Sequence, residues 1–487
     1  MGSINLSLIS HTNVGKTTLA RTLLRRNVGE VVDAAHVTEV ASDYTLFETA
    51  EGDVLRLWDT PGFGDSARLL KRLRQSDNAL GWFLTQVWDR YSDRPFFSSQ
   101  QALRNIRDEA DVVLYLVNST EDPSSTGYID PEMQIVGWIG KPVLVLLNQL
   151  GAPRPVEQER SEVERWARFV AGYPWVRDTL AFDAFARCWV LEHSLLEKIA
   201  AALPSADRDT FARIDTAWRA RNEDVFRKSI ATLAEELAAI AADGEQVAIA
   251  GLGATAKAWL RSIVGGERRD AGLDAAMKAL VERAGAGIRN GTDRLIALHG
   301  LSGSAATQVQ ARMAADFDVD QAVDKGKATI LGGAVSGALG GLAADLAAGG
   351  LSLGAGALLG TILGAAGAAG LAHGYNLLRG TDASTVRWDG HVLNRLVQAA
   401  VLRYLAVAHY GRGRGDFVES EYPPHWRPVA ETAVAGESGT LAELWTQAER
   451  GGARTEWVPR LEASLERLLR NTLVALYPAH TTGARRE

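Results

Sequence analysis

The sequence predicts an α/β domain with a mostly parallel sheet and flanking helices over residues 1–204. An all-α C-terminal region follows it, carrying a glycine-zipper hydrophobic hairpin. Three observations predict this. Up to about residue 204, short β-rich runs alternate with helical patterns, the order of a sheet built from strand–helix–strand units. From about Ala206, apolar residues recur at three- and four-residue spacing. Residues Ala328 to Ala372 hold one charged residue, Asp345, among Gly, Ala, Leu, Ser, Thr, Val and Ile.

Strands are expected at Asn5–Ile9, Tyr44–Thr49, Asp53–Trp58, Val112–Val117, Pro142–Leu147 and Thr179–Phe182. Helices are expected after Lys16, over Val156–Ala171 and over Val190–Ala202, with a helical insertion from Ala67 to Gln100 that contains Trp82, Trp88 and Phe96-Phe97. Residues 205–327 read as a helical domain, because Phe211, Ile214, Trp218, Phe226, Ile230, Leu233, Leu237 and Ile240 form one apolar stripe. Residues 328–378 make the hairpin. Residues 379–487 are expected as a helix over Val386–His409, a Gly/Arg/Pro-rich loop through Pro428, and a last helix at Leu441–Leu476.

With 487 residues the chain exceeds one hydrophobic core. Hydrophobic content of 46% and charged content of 23% are those of a folded protein. A net charge of -7, with no long basic run, argues against nucleic acid as the main partner. The single cysteine, Cys188, excludes an internal disulfide and cysteine-built zinc sites, and suits a reducing compartment. Residues Ile4 to Ile9 follow the start directly without a basic stretch, so no secretory signal is expected.

The chemistry begins after the first strand, at Ser10-His11-Thr12-Asn13-Val14-Gly15-Lys16-Thr17-Thr18. The Walker pattern is Gly, four residues, then Gly-Lys-Ser/Thr, and Ser10 stands in place of the first Gly. In such a loop the backbone N–H groups and the following helix N-terminus wrap phosphates. Lys16 would reach the β- and γ-phosphates and the Thr17 hydroxyl would ligate Mg²⁺. Asp59-Thr60-Pro61-Gly62 ends a later strand, where a Mg²⁺-linked Asp59 and a γ-phosphate-sensing Gly62 N–H belong, and Thr38 lies between, placed to give Mg²⁺ a second hydroxyl. His11 is either a general base or a solvent-facing loop residue.

On Asn13-Val14-Gly15-Lys16 and Asp59-Thr60-Pro61-Gly62 the first 200 residues or so resemble the Era-like branch of the translation-factor-type P-loop GTPases. The whole chain resembles bacterial GTPases of that branch with a helical C-terminal domain of unknown function. The resemblance implies GTP/GDP and Mg²⁺ as ligands. It also implies hydrolysis without a water-orienting Gln, since Phe63 follows the second motif. In relatives K⁺, held partly by the loop Asn, takes the place of an arginine finger; here Asn13 is that residue, or it only braces the loop. Slow intrinsic hydrolysis is expected. Where the family has Asn-Lys-x-Asp, this chain has Asn148-Gln149-Leu150-Gly151. Asn148 retains its contact to the purine edge, while Gly151 lacks the carboxylate that excludes adenine. Asp183, beside Ala184 in the loop where relatives touch the base, either replaces that carboxylate or is a surface-loop or helix-capping Asp.

Gly333, Gly337 and Gly341, and again Gly356, Gly360 and Gly364, are spaced by four, a device for close helix packing in membranes. Lys325, Lys327 and Arg379 flank the stretch and would keep both ends on the cytosolic side. The expectation is a cytoplasmic protein peripheral to or inserted in the inner membrane, with a membrane or membrane-protein partner through residues 328–372. The alternative is a hairpin buried in a soluble domain or in a homo-oligomer. Three accounts stay open: a membrane-associated guanine-nucleotide switch, a weakly hydrolysing nucleotide-binding scaffold, and an RNA or ribosome assembly GTPase.

Overall fold

The computed structural model describes residues 1–12, 14–24, 41–75, 84, 94–148, 156–182, 188–247, 271–301, 375–379, 384–410 and 425–478. One compact unit is built on Met1–Asp224, a second on Val225–Val407 with Val418–Leu476.

The first unit holds β1 (Ser3–Ser10), α1 (Lys16–Leu24), β2 (Ser42–Glu48), β3 (Val54–Asp59), α2 (Ser66–Leu73), α3 (Arg94–Asp108), β4 (Val112–Asn118), α4 (Ile129–Gly137), β5 (Val143–Asn148), α5 (Val156–Val170), β6 (Val176–Ala181) and α6 (Trp189–Ala202). Its sheet runs β2-β3-β1-β4-β5-β6, all parallel except β2, which pairs antiparallel to β3. The chain goes from β3 on one side of β1 to β4 on the other. That crossing makes the C-terminal end of β1 the switch point, where α/β sheets open a ligand crevice.

Side chains of the inner strands alternate between two cores, as a period of two requires. Val112, Leu114 and Leu116 pack with Leu19, Leu23, Leu195 and Ile199 on one face. Val113, Tyr115 and Val117 pack with Leu69, Phe96, Leu103, Met133 and Trp166 on the other. A buried bond from Ser7 Oγ to Asn105 Oδ1, 2.6 Å, ties β1 to α3. Cys188 is buried and reduced, just before α6. The insertion expected over 67–100 contains α2 and the start of α3; apart from Leu84, residues 76–93 lie outside the described residues, as do Trp82 and Trp88.

His193, on α6, stacks edge-on against Trp189, and its Nε2 finds no hydrogen-bond partner among the described residues. Burial, with Arg219 nearby, pulls its pKa from 6.5 to about 4. The unfolded chain therefore binds a proton between those values that the folded protein does not. Stability is full above pH 6.5 and is expected to fall by about 2–3 kcal/mol from this group as pH drops toward 4. Urea midpoints measured from pH 7 to 4 should show a shallower decline in His193→Leu; parallel profiles would refute this.

Helix α7 (Arg208–Ala242) carries the predicted stripe, with Phe211, Ile214, Trp218, Phe226, Ile230, Leu233 and Leu237 all buried. Beyond it the second unit contains β7 (Gly244–Val247), α8 (Ala271–Leu298), β8 (Tyr375–Arg379), β9 (Ser384–Trp388), α9 (Gly390–Ala408), α10 (Trp426–Gly436), α11 (Ser438–Glu449) and α12 (Arg454–Leu476).

Three expectations change. The C-terminal region is mostly helical rather than all-α, because β7, β9 and β8 form an antiparallel sheet. The helix expected from Val386 begins at Gly390: Ser384–Trp388 is rich in β-branched residues and pairs on both sides, and the Asp389 carboxylate accepts the His391 N–H at the helix start. The single last helix is two helices, parted where Gly451 takes a positive φ of 71°. The glycine-zipper hairpin of 328–372 lies outside the described residues.

Candidate functional site

The parallel register sets Leu8 beside Asp59 and Ser10 beside Leu116, so the loop after β1 opens next to the end of β3. Phe63 N–H donates to Ser10 O at 2.9 Å, and His11 forms an isolated parallel bridge with Phe63. Thr60 Oγ1 donates to Leu8 O at 2.6 Å. The two motifs are thereby joined edge to edge.

Gly15 has φ 95°, a backbone state that side chains disfavour. A Cβ there would also lie 2.8 Å from Asn148 Nδ2. Asn148 is fully buried and donates from Nδ2 to Val14 O at 2.7 Å, so the residue expected at the purine edge also braces the phosphate loop. Val14 packs its side chain into the core and Thr18 is buried, which leaves the backbone of this segment to do the binding.

Lys16 opens α1, and its Nζ donates to Ser10 Oγ at 2.9 Å in a buried site. Ser10 in turn donates to His11 O. The departure from Gly at this position therefore supplies an acceptor for the lysine. Burial pulls the Lys16 pKa below its ordinary value, opposed by the charges of Asp59 and Glu132. Burial likewise pushes Asp59 up, opposed by Lys16 and by a hydrogen bond from Thr17. Burial disfavours each charge, and each favours the ionised form of the other.

Thr17 Oγ1 donates to Asp59 Oδ2 at 2.7 Å, while Asp59 Oδ1 is buried with no hydrogen-bond partner among the described residues. A hydroxyl and an unsatisfied carboxylate oxygen fit a hard cation with oxygen ligands. No group of three or more His, Cys, Asp or Glu that could hold a metal ion occurs among the described residues. Gly62 leaves a gap that a side chain would fill: a Cβ there would sit 3.1 Å from both Lys16 Nζ and Thr12 Cα.

Phe63 is fully buried in the core with Ile9, Leu69 and Leu103. His11 is not the free loop residue that its position suggests: its Nδ1 lies 2.7 Å from Glu132 Oε1. Neither this pairing nor the role of Ser10 was foreseen. Of the other expected site residues, Asn13, Thr38, Asp183 and Ala184 lie outside the described residues.

Residues 177–472 match the family described as a domain of unknown function (DUF3482). The chain belongs to that family. Residues 5–149 match the 50S ribosome-binding GTPase family, so the phosphate loop, Asp59, Gly62 and Asn148 all lie in a GTPase domain. No curated protein matches the chain. Among solved structures it is similar to Era in complex with MgGDPNP and nucleotides 1506–1542 of 16S ribosomal RNA, at 18% identity and TM-score 0.31. The same values hold for an Era variant of Aquifex aeolicus bound to GDP and AlF4⁻. Both matches cover 42% of this chain and 58% of the Era chain. A bacterial selenocysteine-specific elongation factor is 14% identical with TM-score 0.25, over 38% of this chain and 26% of its own. In this chain the GTPase domain is thus joined to a C-terminal region whose described residues are mostly helical.

Proposed function

We propose that the GTPase domain is a slow guanosine-triphosphate switch whose nucleotide state is read by the C-terminal region. The backbone of Gly15 to Thr18 holds the α- and β-phosphates, and Lys16 reaches the β- and γ-phosphates. Thr17 and Asp59, with Thr38, hold Mg²⁺, and the Gly62 N–H senses the γ-phosphate. Bound Mg²⁺ supplies neutralisation of phosphate charge. One observation carries the reading: a buried Lys16 beside a Thr17–Asp59 pair with one unsatisfied carboxylate oxygen, under the gap left by Gly62. The choice of guanine leans on the family, with Asn148 in place and Asp183 as the candidate carboxylate.

The core position of Phe63 favours slow turnover and motivates a second reading, a nucleotide-binding scaffold that does not hydrolyse. We extend the first reading to attachment at the cytoplasmic face of the inner membrane through residues 328–372, on the strength of their glycine-spaced apolar sequence. Among the described residues no helix is long and apolar enough to cross a membrane. Ribosome binding, which the family description names, ranks behind membrane attachment for a chain of net charge -7. Saturable co-sedimentation with 50S subunits would reverse that order.

Single-turnover hydrolysis and vesicle co-sedimentation of the full chain and a 328–372 deletion, with and without anionic vesicles, test these readings together. The expected intrinsic rate is on the order of 10⁻⁴ to 10⁻² s⁻¹. It should vanish in EDTA, rise in K⁺ over Na⁺ if Asn13 ligates the cation, and yield to competing GTP rather than ATP. An ATP preference sinks the guanine reading. No turnover under any condition leaves the scaffold, and equal vesicle sedimentation of both chains removes the membrane.

A further inference from the structure

We propose that Glu132 is a positioning residue for the γ-phosphate side of the phosphate loop, acting through His11. The inference rests on the reading of this domain as a nucleoside-triphosphate switch.

Glu132 stands on α4 among buried Ile129, Met133, Ile135 and Val136, and its own side chain is wholly buried. Oε1 lies 2.7 Å from His11 Nδ1, and Oε2 accepts a 2.6 Å bond from the Tyr115 hydroxyl of β4. The His11 ring also stacks on Tyr128, with centroids 4.1 Å apart and planes 14° from parallel, and the Tyr128 hydroxyl is itself held by Glu121. The ring is therefore fixed on its edge by α4 and on its face by the segment that leads into it. Burying a carboxylate is costly, and an apolar residue would pack this face of α4 without that cost. What the carboxylate adds is a rigid tie to one residue of the phosphate loop.

The tie falls on the arc Ser10-His11-Thr12. Lys16 Nζ rests on Ser10, the Phe63 N–H bonds to Ser10 O, and the Gly62 gap faces Thr12. The groups that would meet a γ-phosphate thus converge on this arc. The α- and β-phosphate amides from Gly15 to Thr18 are anchored separately, by Asn148 on Val14 O. Loosening the arc should therefore weaken triphosphate binding far more than diphosphate binding.

The test titrates the full chain with fluorescent GMPPNP and fluorescent GDP. In Glu132→Ala, GMPPNP affinity should fall about tenfold or more while GDP affinity changes by less than about threefold. Glu132→Gln should restore the wild-type ratio, since its amide can accept from Tyr115 and meet His11 in the other tautomer. His11→Ala, a change at a partly exposed residue, should show the same split and serves if Glu132→Ala does not fold. Equal losses for both nucleotides, no loss in His11→Ala, or a folded Glu132→Gln that stays defective overturns the proposal. A wild type that binds neither nucleotide overturns the functional reading on which it stands.

Discussion

Replacing Lys16 by Ala is expected to weaken triphosphate binding by about thirtyfold to several thousandfold, the cost of truncating one member of a desolvated charge pair. The ammonium is buried and its hydrogen bond is to a neutral hydroxyl, that of Ser10. Burial opposes its charge, and Asp59 and Glu132 together support it. An incoming anion favours the charged form of Lys16, and the low local dielectric strengthens that attraction. GDP binding should suffer less, because the amides of Gly15 to Thr18 remain. Isothermal titration with GMPPNP and GDP reads both effects, and unchanged GMPPNP affinity would remove Lys16 from the phosphate site.

The cluster of Gly15, Lys16, Thr17, Asp59 and Gly62 was legible because its members are close in sequence: Gly15, Lys16 and Thr17 adjoin, Asp59 ends β3 and Gly62 follows three residues later. The sheet was legible because β4 and β5, buried on both faces, are unbroken apolar runs. What escaped depends on distance or on backbone state. His11 and Glu132 are 121 residues apart, and neither alone is unusual in sequence. Ser10 stands out in sequence only as a departure from Gly, since its use as an acceptor depends on where Lys16 curls back. The strand at Ser384–Trp388 was hidden because only Asp389-Gly390 parts it from the helical periodicity of α9, and because its partners lie at 244–247 and 375–379. The break falls at Gly451-Gly452, a turn signal between two helical stretches, where Gly451 takes a positive φ.

Arg403→Leu is expected to destabilise the second unit by about 3–5 kcal/mol, the loss typical of breaking a buried ion pair from one side. Arg403 and Glu236 are almost completely buried as a pair. The guanidinium also donates to Ile288 O at 3.1 Å and Thr292 Oγ1 at 3.3 Å, so one side chain of α9 fastens α7 to α8. Gly291 makes room for it, because a Cβ there would collide with the Glu236 carboxylate. Burial already pushes the Glu236 pKa up, and Arg403 is what opposes it. Without Arg403 the folded-state pKa should rise further above the unfolded value. The folded chain then binds a proton that the unfolded chain does not, and stability falls as pH rises through that window. The deficit should therefore be larger at pH 8 than at pH 5. It should shrink in the double variant Glu236→Leu/Arg403→Leu, where no charge is left buried. Hydrogen exchange of α9 amides at both pH values measures it. A deficit independent of pH, or a double variant as unstable as the single, would mean that packing around Arg403 matters and the charge pair does not.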